Sequence, residues 1–250
     1  MRHQPSQRSP SNTPCCPTEV RHPALKRSVT AFTATDHWRS EMDVDQESLR
    51  CFQHCRRDVN IICFCVPRVC PLCGGDTDRT ESRIPPYPLP YPFITSSSVS
   101  SGIVLRPTQG DFLRHYTPKA DLHIGLTDST GCVHDFDEDG LHIGNTWPQC
   151  VQVRLPPDIG TESRLWDHCL AQFADRSAWG SHSYHEQDNN CFDFVLRFLH
   201  NLKLHHRVPA LRNKTDFATM LVAPSTTRAA QFVSLYRQVK TAGYVCQAVS

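Results

Sequence analysis

Apolar and polar residues alternate along the middle of the chain at strand spacing, and further on they recur at helical spacing. "GIVLRPTQGDFL" (102–113) predicts a strand, a turn and a further apolar pair. "DLHIGLTDSTGCVHDFDEDGLHIG" (121–144) alternates around two turn signals, Asp128–Gly131 and Asp137–Gly140, which predicts a β-meander. "QCVQVRLP" (149–156) continues it as a third strand. Beyond this point the period lengthens. Leu165, Trp166, Cys169, Leu170 and Phe173 mark a helix, with Thr161 as its cap. Phe192, Val195, Phe198, Leu199 and Leu202 mark one face of a second helix from about 190 to 203. Ala230, Val233 and Tyr236, with Phe232 and Val239, mark a third that ends near Gly243. Strands followed by helices predict an α+β fold, a small antiparallel sheet with packed helices over residues 103–250.

The first hundred residues have a different texture. Residues 1–45 are rich in Pro, Ser, Thr and Arg without apolar periodicity. Such a composition cannot bury enough surface to offset its ordering entropy, so it reads as a disordered extension. Met42 opens the more ordered part as an alternative start. Residues 46–80 form a cysteine-rich module, with six cysteines between 51 and 75. Residues 81–102 contain "IPPYPLPYPFITSSSVSSG", a linker or an unusual covering strand, because proline removes ladder donors.

Composition narrows the function classes. Over 250 residues the formal charge is +1, so no net field recruits nucleic acid or an anionic membrane. No apolar run approaches a membrane span, and the N-terminus has no apolar signal core. The expectation is an intracellular protein in a reducing compartment, cytoplasmic or nuclear. There, thirteen cysteines are metal ligands, nucleophiles or core filler rather than disulfides.

Cys70-Pro71-Leu72-Cys73-Gly74-Gly75 has the CxxC-plus-glycine form of a zinc knuckle. Upstream donors are Cys51, His54, Cys55, Cys63 and Cys65. The expected set is Cys55, Cys63, Cys70 and Cys73, a zinc-ribbon-like site with His54 as the competing ligand. Four protein ligands would make the zinc structural. The alternative is a group of reduced cysteines packed beside the apolar strand "VNIICFCV".

Cys191 stands at the mouth of the second helix in "DNNCFDFVLRFLH" (188–200). With Asn190 as N-cap and Asp193 in the first turn, Cys191 takes the first helical position, where free amides favour a thiolate. His123, between Leu122 and Ile124 on a regular strand, is the expected base. His142 has nearly the same local context, and His134, His182 and His185 are less constrained. A strand HIGL (123–126), then "VHDF", then Tyr184, Asn190, Cys191 and Phe194 on a helix resembles the circularly permuted papain-like superfamily. That superfamily includes the lecithin:retinol acyltransferase-like proteins and the PPPDE peptidases. The resemblance implies His123 as base and Cys191 as nucleophile; no third group that orients the base is identifiable from sequence. The run "HC" (54–55) and "IICFCVPRVCPLCG" (61–74), then "VLRPTQGDFL" (104–113), "DLHIGL" (121–126) and "NNCFDFVLRFL" (189–199), resembles the makorin-2 opposite-strand family over nearly all of residues 50–240, a domain of unknown function that implies an architecture and no activity. Two functions follow as expectations. One is a thiol hydrolase or acyltransferase acting on an acyl or peptide substrate. The other is a non-catalytic zinc-containing interaction protein with a protein partner.

Overall fold

The fold is that of a computed structural model, which describes residues 48–156 and 162–249. The expected disordered extension, residues 1–45, and the Thr161 cap lie outside the described residues. In chain order the strands are β1 (Arg50–Gln53), β2 (Val59–Cys63), β3 (Ile84–Pro88), β4 (Ile103–Pro107), β5 (Leu122–Thr127), β6 (Val133–Asp137), β7 (Gly140–Asn145) and β8 (Val151–Val153). Four helices follow: α1 (Ser163–Phe173), α2 (Cys191–Asn201), the short α3 (Lys214–Phe217) and α4 (Ala223–Ala242). A last strand, β9 (Tyr244–Ala248), closes the described chain. The architecture is α+β, with two antiparallel sheets ordered β3-β1-β2-β9 and β7-β6-β5-β4-β8.

The larger sheet carries the predicted meander. At its first turn Asp128 Oδ1 accepts from the amides of Thr130 and Cys132 at 2.8 and 3.0 Å. This side-chain mimicry of a backbone turn is why Asp opens such loops. β8 returns to pair with β4, on the far edge from β7. One face of the sheet presents Ile103, Leu105, Ile124, Leu126 and Phe136 to the helices in the main core. α2 answers with Cys191, Phe194, Val195 and Phe198, spaced i, i+3, i+4 and i+7 along one buried stripe. The stripe therefore centres on Phe194 rather than Phe192, which lies at its margin against Phe217. Trp166 of α1 stacks edge-on against Phe198 and donates its Nε1–H to Thr127 O at 2.9 Å, fastening α1 to the end of β5. Leu165, expected on the apolar face, is 52% exposed, because Trp166 and Leu170 take the inward positions.

The Pro/Ser segment is the covering strand and not a free linker. Residues Ile84–Pro88 pair with β1, an edge position where proline costs no internal ladder bond. Phe93 stacks on Phe112 at 4.7 Å in the main core. Ile94 and Cys150 exchange both backbone hydrogen bonds at 2.9 Å, and Ser96 N donates to Trp147 O at 2.9 Å. The strap thus covers the second face of the larger sheet, where Val99, Val104, Val133, Trp147 and Cys150 pack together.

The cysteine-rich module also shares its sheet with the C-terminus. β9 pairs with β2 over Val59↔Ala248 to Cys63↔Tyr244. Leu49, Cys51 and Ile62 belong to the same core as Phe232 and Tyr236 of α4. Among the described residues no helix is long and apolar enough to cross a membrane. Deleting residues 244–250 should therefore expose a long edge on β2 and raise amide exchange at Val59–Cys63 by about tenfold or more, read by mass spectrometry. Unchanged protection there would mean that β9 contributes nothing to the smaller sheet.

Candidate functional site

The start of α2 is built by a reciprocal cap. Asn190 is extended, and its Oδ1 accepts from the amides of Phe192 and Asp193 at 3.0 and 3.3 Å. Asp193 Oδ2 accepts in return from the Asn190 amide at 3.0 Å and from Lys214 Nζ at 2.6 Å. This satisfies the first-turn donors and holds the helix mouth in place. Cys191 follows as the first residue of α2, on the stripe that faces the sheet, 6% exposed.

His123 lies on β5 with the opposite alternation from Ile124 and Leu126. Its Nε2 donates to Asp135 Oδ2 of β6 at 2.8 Å, and both side chains are buried. The register explains the reach. Asp135 pairs directly with Gly125, two residues from His123, so the imidazole and carboxylate are diagonal neighbours on one face. A Cβ on Gly125 would stand 2.8 Å from Val133 Cγ1 and 3.2 Å from Asp135 Cβ, so glycine leaves the carboxylate room to lean toward the ring. Asn145 Nδ2 donates to the other carboxylate oxygen at 3.4 Å.

The Cys191 sulfur acts on the same imidazole, raising its pKa alongside Asp135. With Nε2 committed to Asp135, Nδ1 is the nitrogen that remains for sulfur. Burial alone would push the imidazole pKa down. The hydrogen bonds and charges of Asp135 and Cys191 outweigh burial and raise it to about 9. The sequence-predicted pair is therefore brought together, and Asp135 supplies the third group that sequence reasoning missed. Sequence pattern alone left it out: pairing counted back from the Asp128–Gly131 turn sets His134 against Gly125, and the observed register, one residue further on, puts Asp135 there.

The surroundings are aromatic and closed. Trp147 packs on His123 with ring centroids 5.6 Å apart, and the Arg106 guanidinium lies 4.8 Å over the same indole. Arg106 is the cross-strand partner of His123, and its Nε has no acceptor among the described residues. Tyr184 sits near enough to feel the charges of Cys191 and Asp137, and burial first of all pushes its phenol up. His123, like Cys191, is only 6% exposed. The other histidines do other work. His142 Nε2 donates to Asp137 Oδ1 at 2.8 Å, His134 lies 3.9 Å from Asp128, and His185 pairs with Asp188 at 3.6 Å on the surface.

Among the described residues, two groups have donor atoms close enough for one metal ion: His123, Asp135 and Asp137, and His54, Cys55, Cys70 and Cys73. In the second, Cys55 Sγ and Cys70 Sγ are 4.0 Å apart and Cys73 Sγ is 3.3 Å from His54 Nδ1. Cys63 is not in this group, and the competitor His54 stands where Cys63 was expected. The register is the reason: Cys63 pairs with Arg50 at the start of β1, whereas His54 follows the end of β1, and Cys63 packs with Phe52, Ile61 and Cys70 in a small apolar cluster, where burial pushes its thiol up to about 11.

Residues 86–239 match the family described as DUF4796 C-terminal, and residues 47–76 that described as DUF4796 N-terminal. A human protein, MKRN2 opposite strand protein, is 31% identical over 195 residues, covering 77% of this chain and 86% of that relative. No solved structure matches.

The His123 pairing makes stability depend on pH with a definite sign. The folded pKa, about 9, lies above the ordinary 6.5, so the stabilisation is complete below about pH 6.5 and is lost as pH rises through about 9. Urea unfolding of wild type should show falling stability between pH 6.5 and 9.5. His123→Gln should be flatter across the same window. Parallel profiles would show that His123 carries no charge in the fold.

Proposed function

The chain belongs to the DUF4796 family, and from that premise and the site's geometry we propose a cysteine-nucleophile enzyme, a thiol hydrolase or acyltransferase. Cys191 is the nucleophile, His123 the general base and then acid, and Asp135 the group that orients the ring. The observation that carries this reading is the double engagement of His123, with Asp135 on Nε2 and the Cys191 thiol as its other partner. A base held by a buried carboxylate and electrostatically tied to a thiol at a helix start is the general arrangement of an activated nucleophile. It also supports the permuted papain-like reading, in which a strand histidine precedes a helix cysteine.

The chemistry runs in two steps. In the resting site the thiol proton already sits on His123 as an imidazolium, and the Cys191 thiolate attacks a carbonyl carbon. The C–N, C–O or C–S bond of the substrate breaks, and the imidazolium gives its proton to the leaving group. Water, or an acceptor nucleophile, then gives its proton to His123, attacks the thioester and releases the acyl group with the Cys191 thiolate. The Asn190 cap occupies the amides of Phe192 and Asp193, so the Cys191 amide is the first-turn donor left to face a developing oxyanion. Arg106, on the same sheet face by register, is a cation for a substrate carbonyl or carboxylate.

Burial of both reacting side chains favours the second reading, a non-catalytic interaction protein that keeps the triad as packing. Iodoacetamide labelling mapped by mass spectrometry separates the two. On the enzyme reading, Cys191 is modified at pH 7 well before Cys132, Cys150 and Cys169. His123→Ala slows it by about tenfold or more, because a thiol must lose its proton before it attacks. His142→Ala leaves the rate alone. Labelling of Cys191 no faster than Cys150, whose thiol burial pushes up to about 12, contradicts the enzyme reading.

A further inference from the structure

We infer that His54, Cys55, Cys70 and Cys73 together bind one structural zinc ion, with Cys63 outside the coordination sphere. The four donor atoms all lie within 4.8 Å of one another. Zinc bonds of about 2.3 Å to sulfur and about 2.0–2.1 Å to nitrogen, in a tetrahedron, put sulfurs about 3.8 Å apart and sulfur and nitrogen about 3.5 Å apart. The observed 4.0 and 3.3 Å bracket those values.

The tautomer of His54 fits. Thr80 Oγ1 donates its proton to Asp76 O, so toward His54 Nε2, 2.6 Å away, it can only accept. Nε2 therefore carries the hydrogen, and the Nδ1 lone pair faces Cys73 and the centre of the group. A histidine fixed through its remote nitrogen by a hydrogen bond is the usual support for a metal ligand.

The knuckle fits as well. Cys70 N donates to Gly75 O at 2.8 Å and Gly74 N to Cys70 O at 2.9 Å, while Leu72 N points at Cys70 Sγ from 3.4 Å. Gly74 has φ +72°, a conformation that favours glycine. A Cβ on Gly75 would already touch Cys73 Sγ and His54 Cε1 at 3.4 Å. Three thiolates and one imidazole fill a tetrahedron, so the ion has no open position and its role is to hold the knuckle to the end of β1. Since β1 shares its sheet with β9, the ion also anchors the sheet that receives the C-terminus.

The test uses the full chain purified from zinc-supplied cells. Metal analysis should find about one zinc per chain. After exchange, cobalt should show thiolate charge transfer and intense tetrahedral d–d absorption. Cys63→Ala should keep the metal, Cys70→Ser should lose it, and Thr80→Val should weaken zinc about 10–100-fold in a chelator competition. If Cys70→Ser fails to fold, the wild-type cobalt spectrum and Thr80→Val still decide. A metal-free wild type, a Cys55–Cys70 disulfide in its place, or loss of zinc in Cys63→Ala would overturn the assignment.

Discussion

A buried imidazole stays charged only if anions surround it, and the hydrogen bond between His123 and Asp135 meets that condition here. Burial works against the charge, and the carboxylate at 2.8 Å together with the Cys191 thiol reverses the outcome. The pairing is asymmetric in its energetics. Removing one member of a buried pair strands the other and costs about 3–5 kcal/mol, whereas replacing the whole group by apolar residues can be neutral. A core built only for stability would have no need of the pair. Set between two strands and a helix mouth, the pair brings charge into an otherwise apolar interface.

The rest of the fold is arranged to keep these three side chains in register. β5 and β6 set His123 and Asp135 diagonally, with Gly125 as the space between them. The stripe of Phe194, Val195 and Phe198 fixes α2 on the sheet, and the Asn190–Asp193 cap sets where the helix begins. Packing on the second face fixes Trp147 against the ring. Ser96 Oγ accepts from the Trp147 amide at 3.0 Å, so the Pro/Ser strap decides the depth of that indole. The smaller sheet joins the same core through Tyr236, which meets Phe64 edge-on at 5.2 Å.

What could be read from the sequence was local in origin. The meander, its Asp128–Gly131 turn, the α2 cap and the strand and helix positions of His123 and Cys191 all follow from short-range patterns of alternation, turn chemistry and capping. Pairings between distant segments were hidden. The five residues of β9 look like a tail, and only β2, some 185 positions earlier, makes them a strand. The choice of His54 over Cys63 depends on where along the β1–β2 hairpin each lies, Cys63 opposite Arg50 and His54 past the end of β1, and a list of donor spacings does not contain that. Asp135 was concealed differently, because its neighbour His134 draws attention in "VHDF" while alternation turns the carboxylate, and not that imidazole, toward His123.

The central claim is that His123 is an imidazolium held between the Asp135 carboxylate and the Cys191 sulfur. Nitrogen-detected NMR of ¹⁵N-labelled protein reads this directly from the His123 ring nitrogens as pH is varied. The account predicts two protonated nitrogens at pH 7, a midpoint near 9, and a lower midpoint in Cys191→Ala, where Asp135 alone remains. A His123 ring that is neutral at pH 7, or a midpoint that Cys191→Ala leaves in place, would contradict it.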